Sequence, residues 1–212
     1  MKKSKIIIAI VLLVSISQFA LAQGTNDNSK LKFGFKGGVN FSNLYTDEVD
    51  DNNVLTGFNA GIFAKLPITQ LFAIQPELLY STKGAKLTYN NSFANGTAKF
   101  KLNYIELPVL LVVNLTKNFN IHAGPYAAFL LSAKVQDVDK NGNINGATEL
   151  NKDNFESVDY GIFGGVAFDV DNVTIGGRYT YGLREIGKSG LSGNLTKNSK
   201  NSAISFYIGF GF

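Results

Sequence analysis

The 212-residue chain contains no cysteine and no tryptophan, and it has one histidine and one methionine. The lack of cysteine excludes disulfide scaffolds, cysteine-ligated zinc, iron–sulfur clusters and thiol nucleophiles. A single histidine excludes every site that needs two imidazoles. Charged residues are also scarce at 17%, whereas 45% of residues are hydrophobic and 12% aromatic. This composition argues against a disordered chain.

The net charge of +4 comes largely from the first 22 residues, which have the three parts of a secretory signal peptide. Three lysines precede an unbroken apolar core from Ile6 to Val14, and Ala20-Leu21-Ala22 supplies small residues for cleavage. The core is too short for a membrane helix, which needs roughly 20 residues. We therefore expect a signal peptide at 1–22 and one domain at 23–212. Removing the three lysines lowers the net charge to +1, which leaves no basic patch for nucleic acid.

Eight segments of the mature chain alternate between apolar and mixed polar residues, the period of a β-strand. They span residues 32–41, 57–66, 72–81, 100–113, 119–129, 158–168, 173–181 and 204–212. In the fourth segment, Phe100, Leu102 and Tyr104 are expected on the apolar outer face. A bulge near Tyr104 is expected to transfer that face to Ile105 and Leu107.

The connections between these segments alternate in length. Short connections lie at 67–70, 114–118 and 171–172, and long polar connections lie at 43–55, 84–98, 134–156 and 185–201. Outer-membrane barrels have short periplasmic turns and long extracellular loops, and an even strand number places both chain ends on the periplasmic side. The sequence therefore predicts an all-β fold, an eight-stranded antiparallel up-and-down transmembrane β-barrel after a cleaved signal peptide.

A soluble lipocalin-like barrel is the alternative, but it would place apolar residues inside and polar residues outside. Here one face is almost purely aliphatic and aromatic, and the other mixes small, polar and charged residues. Aromatic residues also gather at two heights, as at the two interfaces of a membrane. The predicted short-turn girdle is Phe33, Phe72, Phe119, Phe168 and Phe212, and the long-loop girdle is Phe41, Phe58, Tyr80, Phe100, Phe129, Tyr160 and Tyr181. We expect the cell outer membrane as the location, with lipid against the apolar face.

Four motifs carry a resemblance to a known family. They are residues 34–40 (GFKGGVN), 75–81 (QPELLYS), 104–108 (YIELP) and 124–126 (GPY). With them the chain resembles the small outer-membrane β-barrel proteins common in Bacteroidetes, the porin-family or PorT-like proteins, over essentially the whole mature chain. The resemblance implies an outer-membrane location and mostly uncharacterised roles. A subset of that family resembles a component of a secretion system.

The last strand ends in Phe210 and Phe212. In outer-membrane proteins generally, such a terminal aromatic strand resembles the signal that the barrel-assembly machinery reads. Expected partners are therefore this machinery and outer-membrane lipid. Protein partners are expected through the long loops, because surface loops on a rigid scaffold are where binding sites usually evolve.

Four charged residues are predicted to point inward near mid-height: Lys36, Glu77, Glu106 and Arg178. Side chains can cross the narrow lumen of an eight-stranded barrel. Two neighbouring carboxylates need cations, and Lys36 and Arg178 are the expected partners. The cluster is interpreted either as a packed ionic plug that fixes register or as a switchable gate through a narrow pore.

No enzyme activity and no cofactor are expected. A glycosidase needs a cleft between its carboxyl groups, and a plugged lumen offers none. His122 is predicted to lie inside, near the short-turn end, but no serine lies two residues away on its face. His122 therefore has no visible partner for a catalytic triad.

One loop resembles the first half of a calcium-binding loop, with Asp137, Asp139 and Asn141 at alternate positions and Gly142 at the sixth. The match degrades at the twelfth position, where a bidentate acid is required and Thr148 stands instead. A hairpin tip favours Asp, Asn and Gly for turn formation alone. A turn is therefore favoured, and a metal site is the weaker alternative.

Three roles remain open, in decreasing order of expectation. The first is a structural or surface-interaction role for a barrel whose lumen is filled with side chains. The second is a narrow porin for small solutes. The third is an accessory component of a secretion or assembly machine.

Overall fold

The computed structural model describes residues 31–45, 54–90, 95–138, 144–150, 154–187 and 199–212. These residues are almost entirely β-strand. The strands are β1 (Lys32–Tyr45), β2 (Leu55–Pro67), β3 (Phe72–Asn90), β4 (Asn95–Asn114), β5 (Phe119–Val138), β6 (Ile144–Leu150), β7 (Val158–Val170), β8 (Val173–Glu185) and β9 (Lys200–Gly211). No helix in the described ranges is long and apolar enough to cross a membrane.

Eight of the strands close into an antiparallel barrel. Each pairs with its neighbour in the order β1, β2, β3, β4, β5, β7, β8, β9, and β9 pairs with β1. The strand β5 pairs with β7 over its first half and with β6 over its second half, so β6 extends the sheet above the barrel. The predicted eight-stranded up-and-down barrel is confirmed, with β6 as an addition that the sequence did not predict.

Both chain ends of the barrel lie at the end with the short turns. Phe33 and Phe212 exchange main-chain hydrogen bonds of 3.1 and 2.8 Å, which join the first strand to the last. The turns at this end lie at 68–71, 115–118 and 171–172. In the last of them Asp171 has a φ of 53°, a conformation that Asp tolerates in tight turns.

The register of the strands sets their tilt relative to the barrel axis. From Lys36, paired residues lead in one direction through β2, β3, β4 and β5 to Asp159 on β7. In the other direction they lead through β9 and β8 to Asp169 on the same strand, a shift of ten residues. Closing a sheet with such a stagger tilts the strands against the barrel axis and narrows the interior to the width of facing side chains.

The outer face of the barrel is apolar, as predicted. Most of its large aliphatic and aromatic side chains are 38–71% exposed, and an apolar surface of this kind is expected where a barrel contacts lipid. Aromatic pairs lie at both predicted heights, Phe119–Phe168 near the short turns and Phe58–Tyr80 near the long loops.

The prediction for the start of β4 is wrong. Phe100, Leu102 and Tyr104 point inward and are 8%, 0% and 1% exposed, so Phe100 is not part of the long-loop girdle. An irregularity in the register does lie beside Tyr104, but the extra residue is Leu131 on the facing strand β5. The strand β4 therefore keeps one alternation from end to end.

This error has a physical cause. The barrel strands run to 12–20 residues, whereas the predicted spans are shorter, and β3, β4 and β5 continue well above the long-loop girdle. Above the membrane a sheet obeys the rule of soluble proteins, with apolar residues inside and polar residues outside. The apolar face of the sequence therefore changes sides along β4 although the strand does not. The same extension means that the predicted loops 84–98 and 134–156 are partly strand.

Candidate functional site

The interior of the barrel opens at its short-turn end into a cavity of about 680 Å³, here called the vestibule. On its wall, Asp169 accepts hydrogen bonds from Lys65 at 3.1 Å and from Asn120 at 2.9 Å. The hydroxyl of Thr174 donates to the same carboxylate at 2.6 Å. The vestibule extends inward as far as Lys36.

Three charged side chains, Lys36, Glu77 and Arg178, close the inner end of the vestibule. We call these three side chains the ion layer. Arg178 donates from Nη1 to Oε2 of Glu77 at 2.8 Å and from Nη2 to Oε1 at 2.9 Å. Lys36 donates from Nζ to Oε1 of Glu77 at 3.0 Å, and its ammonium lies 3.6 Å from the centroid of the Tyr207 ring. The three side chains are 2%, 0% and 4% exposed. One buried carboxylate thus joins β1, β3 and β8 across the lumen.

Glu106, the fourth predicted member of the cluster, pairs with a different cation. Its Oε1 lies 2.5 Å from Nζ of Lys83, and both side chains are at most 3% exposed. The Lys83 ammonium also lies 4.7 Å from the centroid of Tyr126, which stacks on Phe163. The structure therefore divides the predicted cluster into the ion layer and a separate Lys83–Glu106 pair.

The sequence contained a signal for Lys83 that the prediction did not use. Lys83 has the same strand parity as Glu77, so it points inward whenever the strand continues that far. The predicted strand ended at Ser81, whereas β3 continues to Asn90.

A third buried carboxylate, Asp159, lies above this pair. It accepts hydrogen bonds from the Tyr126 hydroxyl at 3.1 Å and from the Asn201 amide at 2.8 Å. Leaving His122 aside, the described residues include equal numbers of buried cationic and buried carboxylate side chains. Three are cations (Lys36, Lys83 and Arg178) and three are carboxylates (Glu77, Glu106 and Asp159). Such balance is expected where charges are buried together rather than hydrated in a channel.

Asn40 ties neighbouring strands together from inside the barrel. It is 1% exposed, and its amide donates to the main-chain oxygens of Phe58 on β2 and Thr82 on β3, both at 3.2 Å. Its carbonyl oxygen accepts from Asn59 and from Ser205 on β9. This side chain therefore connects four strands and leaves little room for a pore at its height.

The long-loop end of the lumen is closed by an apolar plug, which consists of Phe100, Leu102, Phe155 and Ile186. Their exposed fractions lie between 0% and 8%, and the rings of Phe100 and Phe155 are 5.4 Å apart. The segment between β6 and β7 delivers Phe155, and the main-chain N–H of Glu156 donates to the Ile186 carbonyl at 2.8 Å. The sequence did not predict the plug, because residues 155 and 186 lie in predicted polar loops.

The lumen between the ion layer and the plug is filled. A cavity of about 10 Å³ remains there, lined by residues that include Asn40, Lys83 and Thr180. This space holds at most about one water molecule. The prediction of a lumen filled with side chains is confirmed.

His122 lies inside near the short-turn end, at 5% exposure. Its Nδ1 is 3.3 Å from Oδ1 of Asn120, and its Nε2 is 3.5 Å from the Tyr207 hydroxyl. Both ring nitrogens thus face neutral polar groups of the barrel wall.

The predicted calcium loop lies mostly outside the described residues. The main chain of Asp137 belongs to β5, whereas Asp139 and Asn141 are outside. In the ranges that the structure describes, no three histidine, aspartate or glutamate residues form a group that could hold a metal ion. The signal peptide at 1–22 and most of the long loops 43–55 and 185–201 are also outside the described residues, so these assignments stay predictions.

The terminal aromatic residues lie on the outer face. Phe210 is 56% and Phe212 71% exposed, and the Phe212 ring lies 5.9 Å from that of Phe35. Their role as an assembly signal stays a prediction.

Comparisons with known proteins give one family and a set of similar folds. Residues 21–187 match the family described as outer membrane protein beta-barrel domain. The crystal structure of Ail, the attachment invasion locus protein of Yersinia pestis, in complex with the heparin analogue sucrose octasulfate, has a TM-score of 0.50 at 13% identity. That alignment covers 86% of this chain and 99% of Ail.

Neisserial surface protein A has a TM-score of 0.46 at 15% identity, over 86% of this chain and 97% of its own. No curated protein shows significant similarity to the chain. At these identities the likeness to Ail shows the fold alone.

Proposed function

Because the chain belongs to the outer membrane β-barrel domain family, we propose that it acts as a closed barrel with a structural or surface-interaction role rather than as a pore. The protein resides in the cell outer membrane, where its apolar outer face contacts lipid. Long loops at the extracellular end are the expected sites of interaction with other molecules.

One observation carries this proposal: the vestibule ends at the ion layer. A hydrated solute that enters from the short-turn end meets Lys36, Glu77 and Arg178, each at most 4% exposed. Beyond them lie the Lys83–Glu106 pair and then the apolar plug. Passage would require the separation of two sets of buried ion pairs and the displacement of packed aromatic rings.

Single-channel recording in planar lipid bilayers tests the proposal. We expect no conductance steps from the purified barrel, at a protein density at which an open porin gives frequent steps in the same bilayer. Defined, repeated steps would contradict a closed lumen and would favour a narrow porin. That second candidate is supported by the vestibule, whose 680 Å³ already forms one end of an aqueous path.

A narrower affiliation is also proposed. The four motifs that include residues 34–40 and 75–81 support membership among the PorT-like proteins of Bacteroidetes, and with it an accessory role in a secretion or assembly machine. Crosslinking in native membranes would capture neighbours if the chain works in such a machine. Recovery of the barrel without crosslinked partners would count against this role.

We further propose that the protein is not an enzyme. The support is the environment of its single histidine, since His122 faces an amide and a phenol rather than a hydroxyl nucleophile and a carboxylate.

A further inference from the structure

A group of lysines lies on the outer face of the barrel, where β3, β4 and β5 rise above the long-loop girdle. We call it the cationic strip, and it consists of Lys86, Lys99, Lys101 and Lys134. All four side chains are half-buried and lie on the face opposite the apolar plug. One carboxylate lies beside the strip. Glu149 on β6 pairs with Lys134 at 2.9 Å, and its side chain is 75% exposed.

The register places like charges directly opposite one another. Lys86 is the cross-strand partner of Lys99, and Lys101 is the partner of Lys134. Like charges at directly opposed positions destabilise a sheet. Within the described part of the chain, Lys86, Lys99 and Lys101 form no ion pair. Among the described residues, Lys134 alone of the four has an acidic partner, so an anion from outside these residues would complement the strip.

The height of the cationic strip identifies the source of that charge. The outward residues Tyr80 and Phe129 belong to the long-loop girdle. Directly above them Thr82, Asn103 and Ser132 form a hydrogen-bonded row, with distances of 2.8 and 2.9 Å. Lys101 and Lys134 occupy the next outward positions. Each two-residue step along a tilted strand rises by about 5 Å.

The outer face thus changes from aromatic to neutral polar to cationic over about 10 Å. A lipid leaflet has its layers in the same order, from the edge of the hydrocarbon region through neutral polar groups to the charged headgroups. The surroundings of Lys101 fit this position, because burial and the neighbouring charge of Lys99 lower its pKa. A bound anion would relieve that repulsion.

We propose that the cationic strip binds the phosphorylated headgroup of an outer-leaflet glycolipid. The extracellular end of the barrel faces the outer leaflet. Clusters of lysine beside a membrane surface recognise anionic lipid headgroups. Lys101 and Lys134 form the centre of the site, and Lys86 and Lys99 form its upper edge. The row of Thr82, Asn103 and Ser132 lies below the phosphate as a neutral, internally hydrogen-bonded layer, in which Thr82 is 5% exposed.

Binding of lipid A to the full-length mature barrel in neutral detergent micelles tests this inference. Native mass spectrometry would compare lipid A that carries both phosphates with the same lipid after dephosphorylation. We expect tight retention of the phosphorylated form alone. The double variant Lys101→Gln, Lys134→Gln is expected to lose about 10-fold or more in affinity, because two of the four cations are removed.

The matched control is Lys32→Gln with Lys117→Gln, which removes two lysines at the short-turn end and should leave binding unchanged. The strip variant should keep the gel mobility of a folded barrel, because it removes the repulsion between Lys101 and Lys134 and loses only the exposed Lys134–Glu149 pair. Equal retention of dephosphorylated lipid, or equal affinity in the strip variant, would overturn the proposal. Competition by inorganic phosphate at concentrations near that of the lipid would also overturn it, because the strip would then be an anion site rather than a lipid site.

Discussion

Glu77→Gln is expected to lower the free energy of unfolding of the barrel by about 3–5 kcal/mol. Glu77 is the only carboxylate that Lys36 and Arg178 contact in the described structure, and its side chain is fully buried. The amide keeps the shape of the side chain but leaves two buried cations facing each other without a counter-charge. Urea unfolding in detergent micelles, followed by far-ultraviolet circular dichroism, measures the effect.

The control for this variant is Glu149→Gln. Glu149 also pairs with a lysine, at 2.9 Å, but its side chain is 75% exposed. Exposed ion pairs contribute at most about 1 kcal/mol, so this variant should unfold near the wild-type urea concentration. Equal unfolding curves for the two variants would show that the ion layer does not stabilise the barrel.

Phe155→Ala is expected to cost about 3–5 kcal/mol, the range for removal of a fully buried phenylalanine ring. The ring of Phe155 is 0% exposed and packs 5.4 Å from that of Phe100 at the centre of the apolar plug. Its removal leaves a cavity that the barrel walls cannot fill, because the strands are held in place by their hydrogen-bonded neighbours. The same urea series measures the loss.

Phe206→Ala is the matched control, because Phe206 lies on the outer face at 59% exposure. Its removal loses the transfer free energy of the ring, but detergent or lipid chains move into the vacated space and no cavity term is added. The Phe155 variant should therefore be clearly less stable than the Phe206 variant. If the two lose the same free energy, the segment between β6 and β7 does not plug the lumen.

The barrel was predictable from the sequence because the membrane imposes one rule along most of each strand. Residues that meet lipid must be apolar, so Phe33, Ile62 and Ile208 identify the outer face without knowledge of any contact. The short turns follow from the alternating lengths of the connections, and the side of the chain ends follows from the even strand count.

The rule fails where the strands leave the membrane, and the errors are concentrated there. Phe100, Leu102 and Tyr104 are apolar because they pack inside, not because they contact lipid. Nothing in the local pattern distinguishes these two reasons. Phe155 was missed for a related reason. A single apolar residue in a polar loop shows no alternation from which a buried position could be predicted.

The interior charges were predictable by parity, but their pairing was not. Alternation places Glu77, Glu106 and Arg178 inside, whereas the choice of partner depends on the stagger around the barrel. With a shift of ten residues, Arg178 reaches Glu77 across the lumen, and Glu106 lies beside Lys83. Without the register of the strands, the sequence does not show which cation pairs with which carboxylate.

Accessibility of single cysteines on β8 tests the closed lumen most directly. Thr174 and Thr180 both face inward, on opposite sides of Arg178. Thr174 lines the vestibule, whereas Thr180 is 1% exposed beyond the ion layer. Because the chain has no cysteine, Thr174→Cys and Thr180→Cys each introduce one thiol without further changes.

In micelles, a water-soluble maleimide should label the thiol of Thr174→Cys rapidly. The thiol of Thr180→Cys should react only as fast as the barrel opens locally. Both variants should label equally in denaturant. Equal, rapid labelling of the two folded variants would contradict a lumen closed between the ion layer and the apolar plug.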